Sequence, residues 1–170
     1  MGINDQMVSN DCIYSLSTEV GELLKRQGLR LALAESCTGG WITKCITDVP
    51  GSSDWFDRAF ITYSNDAKCE MLDIPASLID HYGAVSEAVV RAMVEGAIRT
   101  SSADVAISVS GIAGPGGGSK EKPVGSVWFG WHKTGEDTVA RLMKFDGDRD
   151  AVRRSAVEHA LSGLINLLAE

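Results

Sequence analysis

Ala34-Glu35-Ser36-Cys37-Thr38-Gly39-Gly40 joins two segments of different hydrophobic period. Before it, Leu29 to Ala34 is a mostly apolar run of strand length, as expected of a strand covered on both faces. After it, Trp41, Ile42, Cys45, Ile46 and Val49 recur at helical spacing. Ser36 is therefore predicted in a strand-to-helix turn, followed by a hydroxyl and two glycines. The free N–H groups of a helix start favour an anion or a developing oxyanion. Glycine lets backbone approach a ligand closely. The turn alone leaves open a plainer reading, in which Ser36 or Thr38 only caps the helix.

Upstream, Ile13, Leu16, Val20, Leu23 and Leu24 make one helical face ending near Gly28, and residues 1–11 are expected to form a loose N-terminal tail. Downstream, Pro50-Gly51-Ser52-Ser53 reads as a turn and Phe56 to Tyr63 alternates as a strand. Ser64 or Asn65 is placed to cap a helix carrying Lys68. A short helix follows over Ser77 to Tyr82, bracketed by Pro75 and Gly83. Ser86 is placed to cap a longer one with Val89, Val90, Met93, Val94, Ala97 and Ile98 on one face.

Asp104 to Ser110 is the next predicted strand. It runs into Gly111-Ile112-Ala113-Gly114-Pro115-Gly116-Gly117-Gly118-Ser119, the most glycine-dense segment of the chain. Val124 to Trp131 and Thr138 to Phe145 read as a late antiparallel hairpin around Thr134-Gly135-Glu136-Asp137. Gly147-Asp148-Arg149-Asp150 opens the last helix. Early β–α–β units with a late hairpin predict an α/β fold: a mixed, mostly parallel sheet with helices on both faces. At 170 residues, one domain over 1–170 is expected, with enough chain for a sizeable core.

Composition narrows the partners. Sixteen basic against 23 acidic residues give a net charge of −7, and no basic stripe appears, which argues against nucleic acid. No apolar run approaches the ~18 residues of a membrane span, so no membrane partner and a cytoplasmic location are expected. Cys12, Cys37, Cys45 and Cys69 show no C-x-x-C spacing, and His81, His132 and His159 form no H-E-x-x-H pattern. The expectation is no metal and no cofactor.

Three further places could carry chemistry. Thr62-Tyr63-Ser64-Asn65-Asp66-Ala67-Lys68 turns from a strand end into a helix, where open α/β sheets place their sites. A lone lysine there is more often solvated. The glycine-rich segment lacks the Lys-Ser or Lys-Thr of a Walker A loop, but its N–H groups could cradle a phosphate or ribose; a flexible loop is the alternative. Arg149, Arg153 and Arg154 near a helix start would suit a phosphate clamp, or a charged helix surface.

Taken together and in order, five motifs resemble the CinA carboxy-terminal domain family. They are Ala34-Glu35-Ser36-Cys37-Thr38-Gly39-Gly40, Thr62-Tyr63-Ser64-Asn65 with Lys68, Gly83-Ala84-Val85-Ser86, Ser110-Gly111-Ile112-Ala113-Gly114-Pro115 and Lys122-Pro123-Val124-Gly125. The resemblance runs from about Ile13 to the last helix. It implies a three-layer α/β/α sandwich and a metal-independent hydrolysis of nicotinamide mononucleotide to nicotinate mononucleotide and ammonia. A serine nucleophile with a lysine and a tyrosine is implied; matched here, these are Ser36, Lys68 and Tyr63, with Ser53 as a weaker fourth. A homodimer is also implied by the resemblance.

The chemistry suits these residue types. An amide is a poor electrophile, so without a metal the nucleophile must be activated and the oxyanion stabilised. The N–H groups near Thr38, Gly39 and Gly40 are the expected oxyanion donors. Lys68, with a pKa lowered by burial or a nearby cation, would accept the proton, and Tyr63 would relay it or hold the lysine. The substrate phosphate is expected on Arg149 and the loop containing Gly111, Gly114 and Gly117, with Arg153 behind. A Cys37 nucleophile is a weaker option. The alternative function is a non-catalytic nucleotide-binding or competence-associated regulatory module.

Overall fold

Strand β1 (Leu31–Glu35) lies inside a five-stranded sheet of order β2-β1-β3-β4-β5. Its neighbours β2 (Phe56–Ile61) and β3 (Val105–Gly111) both run parallel to it. Beyond β3, β4 (Ser126–Lys133) and β5 (Val139–Lys144) are added antiparallel, as the expected late hairpin. Two of the four pairings are parallel, and four of the five strands run the same way. The computed structural model describes residues 3–169, with side chains from Asn10 onward.

The alternation inside β1 decides what packs on each face. Leu31 and Leu33 point into one cluster with Ile107, Phe129 and Trp131. This face is covered by α1 (Ile3–Gln27), α2 (Trp41–Thr47) and α6 (Arg149–Ala169). Ala32, Ala34 and Ala106 face the opposite way, under α3 (Asn65–Leu72), α4 (Ala76–Tyr82) and α5 (Glu87–Arg99). Small residues there let α5 sit close to the sheet. A Cβ on Gly130 would come 2.9 Å from the Val90 carbonyl oxygen, so that approach requires glycine. The result is the three-layer α/β/α sandwich, with the Ser64 and Ser86 caps in place on α3 and α5.

One expectation fails at the N-terminus. Residues 3–11 are helical, continuous with α1, where a loose tail was expected. Neither proline nor glycine interrupts the chain between Ile3 and Val20, and Asn10 accepts a hydrogen bond from Arg154 of α6 at 2.7 Å. The helix therefore continues past the end of its apolar stripe. Among the described residues no helix is long and apolar enough to cross a membrane.

Topology places the functional end. From β1 the chain crosses on the α2 side to β2, then returns on the α5 side to β3 at the other flank of β1. The strand order reverses at the carboxyl end of β1, the position where such sheets open a crevice. Ser36 is the first residue beyond that end.

Candidate active site

The turn after β1 is built around Glu35, to which the sequence reading gave no role. Its side chain is fully buried. One carboxylate oxygen accepts from the Thr38 hydroxyl (2.6 Å), the Gly40 N–H (3.0 Å) and the Ile42 N–H (3.2 Å). The other accepts from the Thr43 N–H (2.7 Å) and the Thr43 hydroxyl (2.6 Å). The first turn of α2 is thus filled from inside. Gly39 donates to the Ser36 carbonyl and Trp41 to the Thr38 carbonyl. The expected oxyanion donors at Gly39 and Gly40 are therefore already engaged. A carboxylate just ahead of a helix start was the available signal, since negative charge is stabilised there.

Ser36 is held by its own N–H on the Val109 carbonyl of β3, at 3.1 Å. Lys68, one turn into α3, is brought to it from below. Its Nζ donates to Ser36 Oγ at 3.1 Å and to the Thr62 carbonyl at 2.8 Å. Lys68 is only 1% exposed, so the solvated-lysine alternative is excluded. Burial pushes its pKa below the ordinary lysine value, opposed by the neighbouring Cys37 and Cys69 thiols. No carboxylate pairs with Lys68 among the described residues. This is the environment that makes an amine available as a base. Cys37 is buried beside it, and burial pushes its thiol up to about 12, which leaves it a poor nucleophile.

Ser36 and Lys68 lie in a cleft of about 260 Å³ that Tyr63, Asn65, Ser110, Gly111 and Arg149 also line. Tyr63 is 62% exposed and stands at the mouth, where its hydroxyl accepts from Arg149 Nη2 at 3.2 Å. The group that holds Lys68 is the carbonyl of Thr62, one residue earlier. Arg149 also donates through Nη1 to the Gly114 carbonyl at 2.7 Å. Gly114 thus reaches the site through its carbonyl, whereas Gly117 lies outside the cleft lining. Ser110 and Asn65 were legible only as motif positions. Ser110 donates to the Ala84 carbonyl at 2.9 Å, which ties the end of β3 to the segment before α5.

Two expected site residues are elsewhere. Ser53 precedes β2 whereas Ser36 follows β1; because these strands are parallel, the two serines sit at opposite ends of the sheet. Arg153 does not line the cleft. Its Nε and Nη2 donate to the Cys37 and Thr38 carbonyls at 3.1 and 3.0 Å, and its guanidinium lies 5.3 Å from the Trp41 ring centre. Arg153 is a bolt between α6 and the turn that follows β1. Arg153→Ala is expected to cost about 1.5–3 kcal/mol of stability in denaturant unfolding, the range for hydrogen bonds from a charged donor. Its effect on turnover should be the same for phosphorylated and unphosphorylated substrates.

Among the described residues no group of three His, Cys, Asp or Glu side chains is gathered as for a metal ion. The arrangement supplies a nucleophile, a desolvated amine and a cationic mouth. These are the parts needed for acyl transfer from an anionic amide.

The chain is similar to known amidohydrolases over most of its length. The chain is 51% identical over 152 residues to a protein of Escherichia coli (strain K12) named nicotinamide-nucleotide amidohydrolase PncC, covering 89% of this chain and 92% of that one. It is 50% identical to the protein of that name from Pseudomonas putida, over 94% and 99% of the two chains. A crystal structure of a competence/damage inducible protein, CihA, from Agrobacterium tumefaciens superposes with a TM-score of 0.90 at 39% identity, covering 94% of this chain and 96% of that one. Residues 13–168 match the CinA C-terminal domain, and the chain belongs to that family.

Proposed function

We propose that this protein hydrolyses the carboxamide of nicotinamide mononucleotide to nicotinate mononucleotide and ammonia, with Ser36 as nucleophile and Lys68 as base. The observation that carries the mechanism is the contact between the buried Lys68 Nζ and Ser36 Oγ at 3.1 Å. The substrate comes from the relatives named nicotinamide-nucleotide amidohydrolase, which this chain matches nearly end to end.

Neutral Lys68 removes the Ser36 proton as Oγ attacks the carboxamide carbon, leaving an ammonium and a tetrahedral oxyanion. Collapse breaks the C–N bond, and the Lys68 ammonium returns its proton to the departing nitrogen, which leaves as ammonia. Lys68 then removes a proton from water, which attacks the Ser36 ester; the ester C–O bond breaks, the Lys68 ammonium reprotonates Ser36 Oγ, and the carboxylic acid loses its proton to solvent as the carboxylate. Each proton is taken and returned by the same amine, as in Ser–Lys variants of the triad. No step draws on a metal or a cofactor.

The phosphate belongs at the mouth. With a net charge of −7 the protein repels an anionic nucleotide on average, so capture depends on local cations. Arg149 is the cleft's exposed guanidinium and spends one nitrogen on Gly114 and one on Tyr63, keeping further N–H donors for a phosphate. Arg149→Ala is expected to raise KM about tenfold or more for the mononucleotide, from the 1.5–3 kcal/mol of a charge-assisted bond. KM for the dephosphorylated riboside should move much less. Equal changes for both would make Arg149 a structural tie to Gly114 and Tyr63.

The first test is incubation with nicotinamide mononucleotide and an assay for ammonia. Release of ammonia stoichiometric with nicotinate mononucleotide is the expected result. Tight binding with no ammonia would instead support the non-catalytic binding module.

A further inference from the structure

We infer that Glu35 is a positioning residue for the reaction: it locks the turn carrying Ser36 and leaves the oxyanion to the N–H of Cys37. The inference rests on Ser36 being the nucleophile. A buried carboxylate without a cationic partner is costly unless its lone pairs are filled. Here five donors fill them, and all five belong to Thr38, Gly40, Ile42 and Thr43. Among the described residues the Glu35 carboxylate therefore binds nothing from elsewhere in the fold. Its whole hydrogen-bonding capacity is spent on the few residues after the nucleophile.

Two consequences follow for catalysis. First, the α2 start cannot receive an external anion, because an internal carboxylate already occupies its first-turn amides. Glu35 thus keeps the substrate phosphate away from Ser36 and leaves it to Arg149 at the mouth. Second, once Glu35 and the local carbonyls have taken Gly39, Gly40, Trp41, Ile42 and Thr43, the amides left are those of Cys37 and Thr38, and of these two residues Cys37 lines the cleft whereas Thr38 is fully buried. An amide of the residue just after a nucleophilic serine is the donor used in strand-to-helix elbows.

The experiment compares kcat and KM for nicotinamide mononucleotide in Glu35→Gln, Thr43→Val, Thr43→Ser and Ser36→Ala. Glu35→Gln keeps the size but turns an NH₂ toward groups that are all donors, which shifts the turn. Misplacing a nucleophile by about 1 Å costs about 10²-fold, so kcat should fall by that order while KM stays near wild type. Thr43→Val removes only the hydroxyl donated to Glu35 and should lower kcat about tenfold, the worth of one hydrogen bond to a charged acceptor. Thr43→Ser restores that donor and should recover the loss, which a defect of helix packing would not show.

Wild-type kcat in folded Glu35→Gln, with Ser36→Ala inactive, overturns the role of Glu35 and leaves the nucleophile standing. A rise in KM at unchanged kcat overturns it too, by placing Glu35 in ground-state binding. If Glu35→Gln does not fold, the threonine pair decides: loss in Thr43→Val with recovery in Thr43→Ser supports the inference, and wild-type kcat in Thr43→Val overturns it. Retained turnover in Ser36→Ala is the distinct result that removes the nucleophile reading itself.

Discussion

Ser36→Ala is expected to lower ammonia release about 10⁴-fold or more, in line with removal of a nucleophile from a group that acts as a unit. The fold should survive. Ser36 keeps its place through its own N–H on the Val109 carbonyl, which the substitution does not touch. Lys68 loses one of two hydrogen bonds but retains the Thr62 carbonyl at 2.8 Å. The stability change should therefore be about 1 kcal/mol, the net worth of one hydrogen bond. Nucleotide binding should persist, because the phosphate contacts assigned to Arg149 lie at the mouth. Near-normal turnover in this variant would return Ser36 to a local structural role. Cys37 could not then simply take over, with its thiol pushed up to about 12 by burial.

How far the site was legible in the sequence depends on the kind of contact each residue makes. Ser36 was legible because a strand run, a helical period and two glycines bracket it within a few residues, so local pattern alone puts it at a strand end. Lys68 was legible as a motif position, and its burial was expected only from the chemistry the resemblance implied, since a lone lysine reads as solvated. Its amine meets Ser36 beyond β1 and the Thr62 carbonyl beyond β2, a relation no local period encodes. Glu35 was overlooked for the converse reason. Its partners are all close in sequence, but it sits at the end of an apolar strand where a charge reads as an exposed end. Only the backbone path of Gly39 and Gly40, both with positive φ, curls the α2 amides onto it. Arg153 and Arg149 lie four residues apart on one helix, and both were expected near the phosphate, Arg149 first and Arg153 behind it. Packing separates them, sending one to the carbonyls of the nucleophile turn and the other to the cleft mouth. Ser53 was misplaced because motif membership carries no information about which end of a parallel strand a loop occupies.

The Lys68 variants test the property on which the mechanism turns. A lysine acting as base must be neutral when Ser36 attacks, and burial at 1% exposure without a carboxylate partner works in that direction. The rate should rise with pH through an apparent pKa below the ~10.4 of a free lysine. Lys68→Arg should be about as inactive as Lys68→Ala, since a guanidinium stays protonated near neutral pH and cannot accept the Ser36 proton. Lys68→Met preserves the apolar volume and serves as the folding control. It also reveals the lysine's effect on stability. Because the folded-state pKa is depressed, the unfolded chain binds more protons between the two pKa values, so this position's contribution rises with pH through that window. It is at its least favourable below the folded-state value and levels off above ~10.4. The difference in unfolding free energy, wild type minus Lys68→Met, should therefore climb with pH and then flatten. A flat difference across that range would show that Lys68 is not perturbed by burial. Near-normal turnover in Lys68→Arg would show that the position supplies positive charge rather than a proton acceptor. Either result would send the search for the base to another group in the cleft, beginning with Tyr63, whose hydroxyl would then have to leave Arg149 to reach Ser36.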